Sequence, residues 1–166
     1  MTVHSGNVYV VGVDPGPTPG IVRLVLSGPT VERVDVTQCT ATLLVPMLNA
    51  LIESVPFSVR TALTYEAFVV GPRAARSSYA GRDAGRVTRD MVRDLETWAE
   101  HRAVTAHTYR AADVKPWATD ARLQAAGLLV PTRGMCHARD AARHALYTAV
   151  RHCGLPDPLS RRGDAA

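Results

Sequence analysis

Residues 8–14 read VYVVGVD, a nearly continuous run of β-branched and apolar residues that ends on the acid Asp14. A run of this kind predicts a strand buried in the middle of a sheet. The next residues, PGPTPG, contain three prolines and two glycines, which cannot continue a central strand and predict a tight turn. The fold must therefore accommodate a carboxylate at the end of a buried strand, which is costly unless that carboxylate is paired or bound to a metal.

Hydrophobic periodicity divides the rest of the chain into strands and helices. The predicted elements are strands at 21–26, 31–36, 60–69 and 103–108, helices at 40–54, 86–101 and 137–153, short helical turns within 109–118 and 120–126, and a polar loop at 70–85. The turn SGPT joins the second and third strands, so the first three strands form an antiparallel meander. This order predicts an α/β fold with a five-stranded mixed sheet, three antiparallel strands followed by parallel ones, and helices on both faces.

The chain has 166 residues, of which 46% are hydrophobic and 20% are charged. These values predict a single globular domain over residues 1–155. The end of the sequence, GLPDPLSRRGDAA, is polar and rich in proline and predicts a flexible tail over 156–166. No apolar run is long enough to span a membrane, and the first residues lack the basic and apolar regions of a secretory signal. Three cysteines are too few for a disulfide framework and odd in number, so we expect a cytoplasmic protein.

The net charge is +4, and all but one of the 19 basic residues are arginine; the exception is Lys115. The planar guanidinium group suits phosphate, so the excess of arginine favours a polyanionic partner such as nucleic acid. A GC-rich coding sequence, from a bacterium or from its phage, would favour arginine over lysine equally well. Composition alone leaves both explanations open.

Three acids from distant parts of the chain are candidates for one site. Asp14 ends the first strand, Glu66 is the only charge in the apolar strand ALTYEAFVV, and Asp140 lies on the last helix. His137 precedes Asp140 by three residues, which puts both on one helix face, and His144 continues that stripe. If the last helix packs across the ends of neighbouring first and fourth strands, these groups converge. Three carboxylates and one imidazole suit two Mg²⁺ or Mn²⁺ ions, which could clamp a phosphodiester between them.

Each of these residues also has a simpler explanation. Asp14 could open a turn before proline, Glu66 could face solvent from an edge strand, and Asp140 could complement the helix dipole. A zinc site is disfavoured, because the CH pair at 136–137 and the HC pair at 152–153 lie at opposite ends of the last helix and lack the usual ligand spacing. The phosphate-binding pattern GxxxxGK[ST] does not occur.

The segments VGVDPG, YEAF and HARDAARHAL, in this order, resemble the RuvC-type Holliday junction resolvases of the RNase H-like nuclease superfamily. The resemblance runs from residue 8 to residue 153 and includes GRDAGRVTRDMVRDLETWAE and YRAADVKPW. The compact size and the excess of arginine and alanine would suit a bacterial or a phage-type member. It implies an RNase H-like fold, a homodimer and a metal-dependent endonuclease. Such a crossover junction endodeoxyribonuclease resolves four-way DNA junctions by paired nicks and leaves 5′-phosphate and 3′-hydroxyl ends.

The resemblance also assigns catalytic roles to individual residues. Asp14, Glu66 and Asp140 would be metal-binding acids, and His137 stands where many members carry a fourth carboxylate and some carry histidine. The four side chains would hold two Mg²⁺ ions, for which Mn²⁺ could substitute. Lys115, in the Val-Lys segment, matches a basic residue near the DNA and the active site, although an ordinary lysine on a helix surface would fit there as well.

Contacts with branched DNA are expected around the loop that follows the fourth strand. The family often carries an aromatic residue three positions beyond the glutamate, where this chain has Val69. Strand alternation would turn the neighbouring Phe68 to the same side as Glu66. The candidate DNA-binding residues are Arg73, Arg76, Arg82, Phe68 and Tyr79. Arginines further along the following helix could instead belong to a solvated face.

Other functions remain open. Val69 and the poor match of residues 117–136 are compatible with a nuclease for flaps, forks or RNA–DNA hybrids. His137 in place of a carboxylate is compatible with a non-catalytic protein that binds branched DNA. An actin-like ATPase also begins with a strand, an Asp-Gly turn and a hairpin, but this chain is too short for the two lobes of that fold.

Overall fold

The computed structural model of the chain describes residues 7–53, 55, 59–68 and 79–160, and it describes residues 79–84 by their backbone alone. The strands are β1 (Val8–Asp14), β2 (Gly20–Ser27), β3 (Thr30–Gln38), β4 (Arg60–Glu66) and β5 (Thr105–Tyr109). The helices are α1 (Leu44–Ile52), which follows the 3₁₀ turn Ala41–Leu43, α2 (Tyr79–His101), α3 (Ala111–Val114), α4 (Asp120–Ala125) and α5 (Cys136–His152).

The five strands form one sheet in the order β3-β2-β1-β4-β5. β1 pairs antiparallel with β2, and β2 pairs antiparallel with β3. β4 lies parallel to β1, and β5 lies parallel to β4. The predicted mixed sheet is therefore confirmed, with the apolar β1 in its centre.

Helices cover both faces of this sheet. On one face Val10 of β1 shares a core with Ala141 and other small residues of α5. On the opposite face Val11 shares a second core with Leu48 of α1 and Leu95 of α2. Adjacent residues of β1 point to opposite faces of the sheet, and Val10 on one face and Val11 on the other are both fully buried. A strand of this composition therefore fits only between two helical layers.

Two glycines allow α5 to lie against the sheet. A Cβ atom on Gly12, in β1, would come within 3.0 Å of the carbonyl oxygen of Ala141. A Cβ atom on Gly20, the first residue of β2, would come within 3.0 Å of backbone atoms of His137 and Ala138. Since backbone atoms cannot swing aside, only glycine permits this approach. The first turn of α5 is thereby brought to the end of β1.

The loop predicted over residues 70–85 is wrong in its last part, because α2 begins at Tyr79 and not near residue 86. Gly81 and Gly85 favoured a loop in the prediction, but a long helix tolerates single glycines at a modest cost in free energy. Residues 69–78 lie outside the described residues. The stripe of Met91, Leu95 and Trp98 is buried, as the helical spacing predicted.

β4 ends at Glu66, three residues earlier than predicted. Its partner β5 ends at Tyr109, and the amide of Ala67 makes the last bond, to the Tyr109 carbonyl. On the other side β1 turns away at Pro15, so no strand remains to pair with the residues that follow. Phe68 therefore lies in a loop, and the alternation that was predicted to place it beside Glu66 does not extend to it.

The segment after α5 makes contacts as far as the structure describes it. Leu155 is buried, and the Arg122 guanidinium donates hydrogen bonds to the Asp157 carboxylate at 3.0 Å. Residues 161–166 lie outside the described residues, and the flexible tail predicted over 156–166 stays a prediction. Within the described part of the chain, no helix is both long enough and apolar enough to cross a bilayer.

Candidate active site

Two strand ends and one helix start meet at a single edge of the sheet. Asp14 is the last residue of β1 and Glu66 the last of β4, and these two strands are parallel neighbours in which Val13 pairs with Tyr65. His137 is the second residue of α5, which the glycine at the start of β2 holds against this edge. The structure thus brings the predicted residues of three distant segments together.

Asp14 is the most buried acid of this group, with 13% of its side chain exposed. Its carboxylate lies 2.7 Å from Nδ1 of His137. Burial raises the pKa of Asp14; the hydrogen bond with His137 opposes this, and the negative charges of Glu66 and Asp140 add to it. A cation beside Asp14 would therefore offset both the free-energy cost of burying the ionised carboxylate and its repulsion by the neighbouring acids.

The start of α5 is fixed by a residue that the sequence analysis did not single out. The side-chain carbonyl of Gln38, at the end of β3, accepts hydrogen bonds from the backbone amides of His137 and Ala138 at 3.0 and 3.1 Å. These amides belong to the first turn of a helix and have no partner within it. No local pattern marks Gln38, because its partners lie about a hundred positions away in the chain.

Two positively charged side chains bind the Asp140 carboxylate. Nζ of Lys115 donates to its Oδ2 at 2.9 Å, and the Arg143 guanidinium donates to its Oδ1. Arg143 also bonds Asp120 at 2.7 Å, which anchors it to the start of α4. Burial alone would raise the pKa of Asp140, but the bonds from Lys115 and Arg143 outweigh it and lower this pKa. The i,i+3 spacing of Asp140 and Arg143 is the local sequence signal of this contact.

Lys115 is the chain's only lysine, so its titration can be followed as a single side-chain signal. Burial acts to lower the pKa of Lys115, but the hydrogen bond and charge of Asp140, with the charges of Glu66 and Asp14, raise it. We expect Nζ, observed by NMR after ¹⁵N-lysine labelling, to titrate above the ordinary lysine value. In Asp140→Asn this pKa should fall, whereas Asp157→Asn, which alters a remote carboxylate, should leave it unchanged. An equal pKa in wild type and Asp140→Asn would contradict the contact.

Glu66 has weaker partners than the other two acids. Its Oε2 lies 3.6 Å from Nε2 of His144, which is beyond hydrogen-bonding distance. Glu66 also lines a cavity of about 290 Å³, together with Pro15, Ala67, Phe68 and Thr88. Phe68 lines the same cavity as Glu66 although it is not in the strand. The Arg89 guanidinium lies 5.7 Å from the centre of the Phe68 ring.

The structure describes some of the predicted DNA-binding residues and not others. Arg73 and Arg76 lie outside the described residues. Tyr79 and Arg82 belong to α2 and not to a loop, and their side chains are not described. Phe68 is the one candidate whose side chain can be placed, at the wall of the cavity beside Glu66.

The donor set at this edge fits hard divalent cations. Carboxylate oxygens and an imidazole nitrogen are the ligands that Mg²⁺ and Mn²⁺ accept, and Asp14 has two like-charged neighbours. Among the described residues, no group of three or more His, Cys, Asp and Glu side chains is close enough together to hold an ion as it stands. The oxygens of Asp140 are bonded to Lys115 and Arg143 instead. Each of these oxygens keeps a second lone pair, so an ion could bind Asp140 with Lys115 and Arg143 in place or after one of them has left.

No family model and no curated protein matches the chain. Among solved structures, T. thermophilus RuvC in complex with a Holliday junction substrate is similar, with a TM-score of 0.54 and 19% sequence identity. The match covers 86% of this chain and 92% of that one. The chain has a RuvC-like fold.

This RuvC-like fold confirms the predicted RNase H-like α/β architecture over most of the chain. At 19% identity the likeness concerns the fold alone. The roles of individual residues, and membership of a phage-type group, stay predictions.

Proposed function

We propose that the protein is a metal-dependent endonuclease that resolves four-way DNA junctions, that is, a crossover junction endodeoxyribonuclease. The observation that carries the proposal is the meeting of Asp14, Glu66, His137 and Asp140 at one edge of a RuvC-like sheet. One similar solved structure is T. thermophilus RuvC in complex with a Holliday junction substrate, which supports branched DNA as the ligand.

Asp14, Glu66, His137 and Asp140 would hold two Mg²⁺ ions, for which Mn²⁺ could substitute. When bound, the ions supply an activated water and neutralise charge that develops on the phosphate. The buried and repelled carboxylate of Asp14 favours a cation beside it, so we assign Asp14 to both ions. Glu66 would complete one ion site, and His137 with Asp140 the other.

Lys115 would act on the DNA side of this group. Its side chain is partly exposed and lies within hydrogen-bonding distance of Asp140. An ammonium group at the end of a flexible chain can leave a carboxylate and contact a phosphate oxygen instead. Arg143 remains on Asp140 in that case, because its further bond to Asp120 anchors it.

A homodimer would place two such sites about a twofold axis, so that each site cuts one of two opposed strands of the junction. The products would be nicks with 5′-phosphate and 3′-hydroxyl ends. We further propose that Arg73, Arg76 and Arg82 contact phosphates, and that Phe68 and Tyr79 contact bases near the branch. The three cysteines are free, which is compatible with the proposed cytoplasmic location.

A nuclease with broader selectivity, for flaps, forks or RNA–DNA hybrids, is the second candidate. The observation that favours it is the position of Phe68, which lies in a loop against Arg89. An aromatic ring on a loop can stack on an unpaired base in many branched substrates. The same sheet edge and the same acids would serve this activity.

The two candidates are separated by cleavage of a labelled synthetic four-way junction beside linear duplex, flap, fork and RNA–DNA hybrid controls, each in Mg²⁺, Mn²⁺ and EDTA. We expect paired nicks in the junction, in either metal and not in EDTA. Equal cutting of flaps and forks would favour the broader nuclease. Tight junction binding without cutting in either metal would contradict both and indicate a binding protein.

A further inference from the structure

His144 is a fully buried imidazole whose nearest neighbours along the helix are small and aliphatic residues. Its exposure is 0%, as is that of its neighbours Ala141, Ala145 and Leu146. Neither ring nitrogen has a hydrogen-bond partner among the described residues. A leucine would suit this apolar face better, since a buried polar group without a partner lowers stability. Packing therefore does not account for a histidine here.

The nearest acceptor to this imidazole is the carboxylate of Glu66. His144 lies one helical turn beyond Asp140, on the face of α5 that covers β4. Its Nε2 is 3.6 Å from Oε2 of Glu66. A small rotation of either side chain would shorten this distance to that of a hydrogen bond. The Glu66 carboxylate makes no side-chain hydrogen bond among the described residues, whereas Asp14 and Asp140 each make one or more.

We propose that His144 is a positioning residue that donates Nε2–H to Oε2 of Glu66 and so turns the other carboxylate oxygen toward Asp14. This inference rests on the proposed function, in which Glu66 is a metal ligand. Ligating carboxylates are held in orientation by hydrogen bonds from groups behind them, and loss of such a group weakens metal binding. His144 provides this support from the buried side of the sheet edge.

Two substitutions of similar polarity separate positioning from packing. Glutamine places its amide nitrogen near the position of Nε2, whereas asparagine is shorter and reaches only the position of Nδ1. We expect His144→Asn to weaken Mn²⁺ binding by about 10-fold or more, and His144→Gln to stay close to wild type. Mn²⁺ binding to the DNA-free protein is measured by electron paramagnetic resonance of the free ion. Thr148→Val, a control on the same helix face that removes a buried hydroxyl, should leave Mn²⁺ affinity unchanged.

Cleavage kinetics give a second and independent readout. His144→Asn should lower kcat at limiting Mn²⁺ and recover at high Mn²⁺, with little change in KM for DNA. Equal Mn²⁺ affinity in folded His144→Asn and wild type would overturn the inference even if both cut junctions. Weakened Mn²⁺ binding in His144→Asn, rescued in His144→Gln, would uphold it even if the wild type cuts no DNA and the proposed function fails. Thermal melts of all variants establish that each is folded, and failure of wild type to bind Mn²⁺ would overturn the inference.

Discussion

Asp14→Asn is expected to remove nearly all DNA cleavage and, at the same time, to raise the melting temperature of the metal-free protein. Burial, with the charges of Glu66 and Asp140, raises the pKa of Asp14 in the folded state. A group whose pKa is higher in the folded state contributes stability below its unfolded pKa and loses it as the pH rises through the folded pKa. At neutral pH the ionised Asp14 therefore opposes folding, and a neutral amide of the same shape removes that cost.

Cleavage should fall on the order of 1000-fold in Asp14→Asn, because the metal ions that would neutralise charge on the phosphate lose a carboxylate ligand. Mn²⁺ should raise the melting temperature of wild type more than that of the variant, since a bound ion stabilises only the folded state that holds it. Asp35→Asn is the control of opposite sign. The Asp35 pKa is lowered by hydrogen bonds from Arg23 and Arg33 against a rise from burial, so this change should lower the melting temperature. Full cleavage by Asp14→Asn would remove Asp14 from the site.

Gly20→Ala is expected to cost stability of about 3 kcal/mol, the upper end for an overpacked core, and to reduce cleavage more than the stability loss explains. The new Cβ would come within 3.0 Å of backbone atoms of His137 and Ala138. The first turn of α5 must then move away from β2, and this turn carries His137 against Asp14. Guanidinium unfolding curves test the expected loss of stability. Cleavage rates measured well below the melting temperature test the expected loss of activity.

Gly16→Ala is the matched control for stability. It adds the same methyl group in the turn after β1, where nothing lies within 4 Å of the new atom. We expect its unfolding midpoint to equal that of wild type. If Gly20→Ala were as stable as Gly16→Ala, the close approach of α5 to β2 would be contradicted.

The strands and the acids at their ends could be predicted because their signals are local. The apolar run of β1 and the single charge of the Glu66 segment identify buried strands with a carboxylate at the edge. Parallel pairing of β1 with β4 then brings Asp14 and Glu66 together without further information. The i,i+3 spacing of His137 and Asp140 gave their common helix face in the same way.

The remaining parts of the site depend on contacts between distant residues. Gln38 bonds the start of α5 from the end of β3, and Lys115 bonds Asp140 from the end of α3. Neither pair has a spacing that a local pattern could reveal. The end of β4 was predicted too late because apolar residues continue after Glu66, whereas the strand ends where its partners end. The prediction that Phe68 lies in this strand, on the same side as Glu66, was wrong for the same reason.

The hydrogen bonds that Gln38 accepts have a consequence for how the proposed activity would respond to warming. β3 is an outer strand of the sheet, with several exposed residues, and outer strands open locally at a lower free energy than central ones. Opening of the end of β3 would release the amides of His137 and Ala138 while β1 and β4 stay paired. Inactivation would then occur at a lower temperature than global unfolding. Hydrogen exchange of the His137 and Ala138 amides would report the local opening of β3.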